Sequence, residues 1–236
     1  MTSKKQIVAI YSFVFVASVA MILFFRTLGH DVPETEGPIA TELGKEEAEN
    51  FFPIEEDLVM TRQDGEEVQM SDLKGKVTVL AQFFAVCPHC AVRNGAELGD
   101  IYATFKDHPD FRMVCISVDP ETDGVEELAA YAEALEADPE DWWFTTAGDK
   151  QATHDYLEKE LGFFKIRERR DPVDIASNGR FAHDLGFLVI DRDHNVVGKW
   201  PLPDLRSDEG KRNFPGGYER QKKEMYDRLT KELENE

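Results

Sequence analysis

Val77-Thr78-Val79-Leu80-Ala81-Gln82-Phe83-Phe84-Ala85-Val86-Cys87-Pro88-His89-Cys90 is the stretch from which the rest of the chain can be placed. Its first eight residues form a nearly continuous apolar run of strand length. Such a run is expected of a central strand buried on both faces, because a half-exposed strand would alternate apolar and polar residues. The strand hands over to a helix at the cysteine pair, and the helix is expected to continue to about Lys106. Backbone N–H groups at a helix N-terminus carry partial positive charge, which stabilises a thiolate. Cys90 lies one helical turn beyond Cys87, so both sulfurs can face one side. Pro88 suits a first helical turn, where its missing N–H costs nothing. His89 adds positive potential beside the thiolate. A pair so placed can close a disulfide or hold a soft cation.

Downstream, Phe111 to Val118 is a second buried strand, and Cys115 inside it is a small core residue. Val125, Leu128, Ala132 and Leu135 recur at helical spacing within 123–137. Trp142 to Phe144 is a short third strand, and 149–161 a further helix. Residues 162–182 look irregular and hold a basic patch, Lys165, Arg167, Arg169 and Arg170, that reads as a solvated loop. Leu185–Ile190 and Val196–Trp200 flank the turn 191–195 as a hairpin, and 219–235 is a polar C-terminal helix. Upstream, Asp64-Gly65 marks a turn between two short extended runs. Strands alternating with helices, closed by a hairpin and a helix, predict an α/β fold. The cysteine pair at a strand–helix junction narrows it to a thioredoxin-like fold, a central mixed sheet flanked by helices.

Thioredoxin-like oxidoreductases usually carry a proline just before the strand that faces their cysteines. Here that segment is Gly179-Arg180-Phe181-Ala182-His183-Asp184-Leu185-Gly186-Phe187, and His183 stands in the loop. Two thiolates and an imidazole suit Cu(I), and the imidazole also accepts Cu(II). Cys87, Cys90 and His183 are therefore the candidate metal ligands, with Asp184 placed to orient the ring. Cys87 and Cys90 are equally the candidate redox pair of a thiol–disulfide enzyme, Cys87 attacking and Cys90 resolving. His30, His108, His154 and His194 read as solvated surface groups.

The N-terminal run Ile7 to Phe25 carries no charge over a length that spans a bilayer core. It ends in Phe24-Phe25-Arg26, a poor cleavage site, and so reads as an uncleaved anchor. Lys4 and Lys5 precede it and a largely acidic stretch follows, which leaves the N-terminus in the cytoplasm and the body outside. The expected organisation is a stub and transmembrane anchor over 1–26, an acidic tether over 27–50 and the thioredoxin-like domain over 51–236. The expected location is a bacterial inner membrane, single-pass, with the domain in the periplasm. Net charge is −20, from 47 acidic against 27 basic residues. That field repels phosphate backbones and excludes nucleic acid as a partner. Three cysteines are too few for a disulfide framework.

Four stretches resemble the Sco/SenC family of copper chaperones: Asp64 to Phe84, Val114 to Asp123 (VCISVDPETD), Asp141 to Gly148, and His183 to Trp200. The resemblance covers roughly 51–200. It implies a thioredoxin fold that binds copper through two Cys and a distal His, by position Cys87, Cys90 and His183. The implied role is assembly of the copper site of cytochrome c oxidase, by copper transfer or by reduction of that site's thiols. The implied partner is an oxidase subunit or another periplasmic copper or thiol protein. The chain departs from the family in one place. C-P-H-C is one residue shorter than the family's usual C-P-x-x-C and is the tetrapeptide of the oxidising DsbA-type proteins, which gives thiol chemistry more weight.

Overall fold

The structure, a computed structural model, describes residues 52–85 and 90–235, with the backbone alone at 90–93. The expected anchor, the tether, the domain boundary at 51 and Cys87 lie outside the described residues. Among the described residues no helix is long and apolar enough to cross a membrane.

In chain order the strands and helices are β1 (Phe52–Pro53), β2 (Val59–Arg62), β3 (Glu67–Gln69), β4 (Val77–Phe83), α1 (Cys90–Phe105), β5 (Phe111–Ser117), α2 (Val125–Ala134) and β6 (Trp142–Thr146). Then come α3 (Lys150–Asp155), running into a π-helical turn at Tyr156–Glu160, and β7 (Arg167–Glu168), α4 (Pro172–Asn178) and β8 (Phe181–Ala182). The chain closes with β9 (Phe187–Ile190), β10 (Asn195–Trp200), α5 (Leu202–Arg206), α6 (Asp208–Asn213) and α7 (Gly217–Glu234).

All seven residues of β4 are buried. The strand lies between β5, to which it is parallel with Ala81 opposite Cys115, and β9, to which it is antiparallel with Ala81 opposite Phe187. The sheet order is β1-β10-β9-β4-β5-β6-β2-β3. A parallel β4-α1-β5 unit followed by an antiparallel β9-β10 hairpin and α7 is the expected thioredoxin-like arrangement. Both faces of the sheet are covered. Val79, Ala81 and Phe83 pack with Leu98 and Ile101 of α1, Leu128 of α2, and Met225 and Leu229 of α7. Leu80, Ile116, Leu188 and Ile190 face the other way and pack with Leu157, Phe163 and Phe181.

The expected Asp64-Gly65 turn joins β2 to β3, with Gly65 at φ 86°, a value that costs a glycine little. Cys115 is fully buried, and burial pushes its thiol up to about 12, so it is an inert core residue. The segment 162–182 is less irregular than expected, because β7 and β8 pair, with Arg167 opposite Ala182. The helices α5 and α6 carry no long apolar period, and the sequence reading left them unassigned.

Two of the histidines are not solvated. His154 is buried against Phe181 with Nε2 donating to the Val118 carbonyl at 2.7 Å, because α3 packs over the end of β5. His194 is buried in the β9–β10 turn at φ 68°, where burial lowers its pKa. His108, half-buried, accepts from the Asp110 N–H. His30 lies outside the described residues.

Glu97 of α1 is fully buried. Its carboxylate meets Lys222 at 2.9 Å and Arg206 at 3.4 Å, and accepts from the Tyr218 hydroxyl at 2.7 Å. These contacts fasten α5 and α7 to α1. A buried carboxylate left short of cations is costly, so Lys222→Ala should destabilise the protein by about 2 kcal/mol, with Arg206 and Tyr218 left to soften the loss. The exposed pair Lys223–Asp227 is a control: Lys223→Ala should shift stability by less than about 0.5 kcal/mol. Urea midpoints check both, and equal effects would refute the assignment.

At the opposite end of β4, Asp110 bridges Lys76 at 2.8 Å and Arg192 at 3.0 Å. The two cations hold its carboxyl down to about 2. A depressed carboxyl stabilises the fold above its ordinary value, and that contribution fades as pH falls from 3.8 to about 2. The stability gap between the parent and Asp110→Asn should be full at neutral pH and vanish near pH 2, as read by urea titration at each pH.

Candidate metal and thiol centre

α1 is described from Cys90 onward, so the second cysteine lies in the helix that follows the exit of β4. Because β4 and β9 are antiparallel with Ala81 opposite Phe187, the segment entering β9 lies beside the segment leaving β4. His183 is in the first of these segments and the cysteine pair follows the second. The topology therefore brings the His183 segment to the sheet end where the Cys motif starts. Among the described residues no three ligand-type side chains converge; Cys87 lies outside them.

His183 is half-buried, and burial pushes its pKa below the ordinary imidazole value, against a smaller opposing effect of its bond to Asp184. Nδ1 lies 2.8 Å from the Asp184 backbone carbonyl. A carbonyl only accepts, so Nδ1 carries the proton. A neutral ring protonated there presents a lone pair on Nε2, the atom a soft metal would take. The ring is thus oriented by Asp184, but through its main chain. The Asp184 carboxylate accepts from Lys199 Nζ at 3.0 Å and from the Gly186 N–H at 2.8 Å, and is spent on shaping the entry to β9.

The run VCISVDPETD has a structural role that its composition alone did not assign. Ser117, Asp119 and Asp123 are all fully buried at the end of β5. Asp123 Oδ2 accepts from the Ser117 hydroxyl at 2.5 Å and from the Ala85 N–H at 3.0 Å. Ala85 is the last described residue before the cysteine motif, so a buried carboxylate fixes the chain as it leaves β4. Asp119 accepts from the Thr122 hydroxyl at 2.9 Å and lies 3.9 Å from Arg180. Arg180 also pairs with Glu121 at 3.0 Å and Glu168 at 2.8 Å. A polar path thus runs from the start of the cysteine loop, through the turn after β5, to the β7–β8 hairpin that leads to His183. The visible signal was acidic residues directly after an apolar strand.

The SCO1/SenC family model matches residues 46–209. The chain belongs to the SCO1/SenC family. The SCO1 homologue of Bacillus subtilis (strain 168) is 26% identical over 155 residues, 65% of this chain and 79% of the relative. A SCO1/SenC family lipoprotein from Bacillus anthracis is similar in structure, with TM-score 0.62 and 21% identity over 80% of this chain and 100% of that one. Arabidopsis thaliana ScoI, solved with copper bound, gives TM-score 0.52 and 21% identity over 68% of this chain and 97% of that one. These likenesses establish the thioredoxin-like fold of this SCO1/SenC chain. Its C-terminal helix α7 lies beyond the residues that the family model matches.

Removing the Asp123 carboxylate leaves the Ala85 N–H and the Ser117 hydroxyl without their acceptor. Asp123→Ala should cost about 2–3 kcal/mol, while Arg180→Ala, whose ion pairs are half-exposed, should cost at most about 1 kcal/mol. Chemical denaturation of each variant measures this, and a smaller loss for Asp123→Ala than for Arg180→Ala would contradict the ranking.

Proposed function

We propose that this SCO1/SenC protein is a membrane-anchored copper carrier. Cys87 and Cys90 supply thiolates and His183 supplies Nε2, with copper as cargo rather than a resident cofactor. The observation that carries the reading is the His183 hydrogen bond to the Asp184 carbonyl, which leaves Nε2 as the ligating atom on the segment beside the end of β4. The donor set, two sulfurs and one nitrogen, matches soft Cu(I), with the imidazole tolerating Cu(II). The copper-bound plant relative supports the same choice of metal. Ile7 to Phe25 anchors the chain in the inner membrane with the domain in the periplasm, and the recipient is the copper site of a cytochrome c oxidase subunit.

One observation favours thiol–disulfide exchange through the same pair as a second reading. Cys90 lies in α1 and Cys87 precedes it by three residues, a spacing from which a helix N-terminus would favour the thiolate. Exchange with glutathione disulfide would then persist in His183→Ala.

Titration of the reduced full-length chain with Cu(I) against a competing chelator tests the first reading. The parent should bind about one equivalent, the stoichiometry of a three-donor soft site. His183→Ala should weaken binding by more than the roughly 10–100-fold that losing an outer contact costs. Equal affinity in parent and variant would sink the copper reading.

A further inference from the structure

The chain carries a net charge of −20, yet the segment that delivers His183 is cationic. Residues 165–184 hold five cations, Lys165, Arg167, Arg169, Arg170 and Arg180, against four carboxylates. The structure divides these cations into two groups. Arg169 turns inward, donating to the carbonyls of Asn178 and Gly179 and pairing with Asp174 at 3.3 Å, so it shapes the hairpin. Arg180 is taken up by Glu121 and Glu168. Lys165, Arg167 and Arg170 are exposed, and among the described residues none has a carboxylate partner.

The neighbouring carboxylates are engaged elsewhere. Asp171 caps α4 by accepting from the Val173 and Asp174 N–H groups, and Asp184 is neutralised by Lys199. Arg167 stands opposite Ala182, the residue before His183, so one of the free charges lies directly beside that segment and the other two are within three residues of Arg167 in sequence. Beside Arg170, α4 buries none of its residues, and Val173 is 75% exposed, the most exposed large apolar side chain described. A free apolar tip beside unpaired cations, at a place where the rest of the molecule is acidic, has the composition of an interface rim.

The geometry points to Lys165, Arg167, Arg170 and Val173 as a docking surface for an acidic protein partner that presents its own thiols to the His183 side. That this partner is the copper recipient rests on the proposed function; the surface itself does not. Charge complementarity selects the occupant. The net charge of the chain repels an acidic protein while this patch attracts it, which favours approach toward the His183 side. An anionic lipid surface is the poorer fit, since it would have to approach the bulk of a chain of charge −20 and would cover His183.

The probe is a short labelled synthetic peptide of glutamates around a cysteine pair, with a glutamine counterpart. Both are followed by fluorescence anisotropy against the full-length chain in non-ionic detergent. The parent should prefer the acidic peptide despite its own charge, and K165Q/R167Q/R170Q should lose that preference by about tenfold at low salt, with the gap closing near ~0.5 M salt. The triple variant should keep the parent's Cu(I) affinity and urea midpoint. Lack of preference in the parent, or a preference untouched by the triple substitution, overturns the proposal. So does patch-dependent binding to phosphatidylglycerol vesicles tighter than to the peptide. A parent that binds no copper but shows the patch-dependent preference would overturn the copper reading and leave the docking surface standing.

Discussion

β4 has neither a free edge nor a free face. β5 and β9 take its backbone groups, and helices or the 156–182 excursion cover both sides. A strand so enclosed can present chemistry only at its ends, because any reactive side chain along it would be sealed in the core. The cysteine motif follows its C-terminal end, and the opposite end is tied down by Asp110 between Lys76 and Arg192. Antiparallel pairing with β9 then makes the entry to β9, where His183 stands, a neighbour of the same exit. The location of the proposed site thus follows from the burial of one strand and the direction of its neighbour.

Three buried carboxylates hold the surroundings in place, each in a different way. Glu97 draws two cations and a hydroxyl from the C-terminal helices onto α1. Asp184 takes a lysine and a main-chain donor to fold the entry of β9. Asp123 takes a hydroxyl and the Ala85 N–H at the exit of β4. A buried carboxylate that loses a partner costs several times what an exposed ion pair is worth. Such groups therefore fix geometry more firmly than their share of the overall stability suggests. Glu97 anchors the helix that carries Cys90, and Asp184 directly follows His183.

The sheet was legible because apolar runs of strand length have few other fates. β4, β5, β9 and β10 fall where the runs 77–84, 111–118, 185–190 and 196–200 place them. The hairpin of β2 and β3 was legible from Asp64-Gly65. His154 and His194 were misplaced because a single polar residue on a helix or in a turn carries no mark of what packs over it. His154 is covered by Phe181, distant in sequence, and His194 by the close return of the chain at Ile54. The network at Ser117, Asp119 and Asp123 was visible as a family run of residues, but that it reaches Ala85 is a fact of tertiary contact. The short helix α4 buries none of its residues and leaves no apolar period in the sequence.

The choice of a carbonyl rather than a carboxylate behind His183 has a chemical consequence. A carboxylate hydrogen-bonded to Nδ1 would raise the basicity of the ring and favour a harder, more strongly held cation. The Asp184 carboxylate is instead neutralised by Lys199, whose ammonium also lies 3.8 Å from the Phe164 ring centroid. The imidazole is left as a neutral, weakly basic donor, and burial holds it neutral. In the copper site proposed above, such a ring would add its donor to the two thiolates and set the geometry at which they hold the metal. In the carrier role proposed above, cargo must be released, and a third ligand oriented by a carbonyl suits release better than one tightened by a carboxylate.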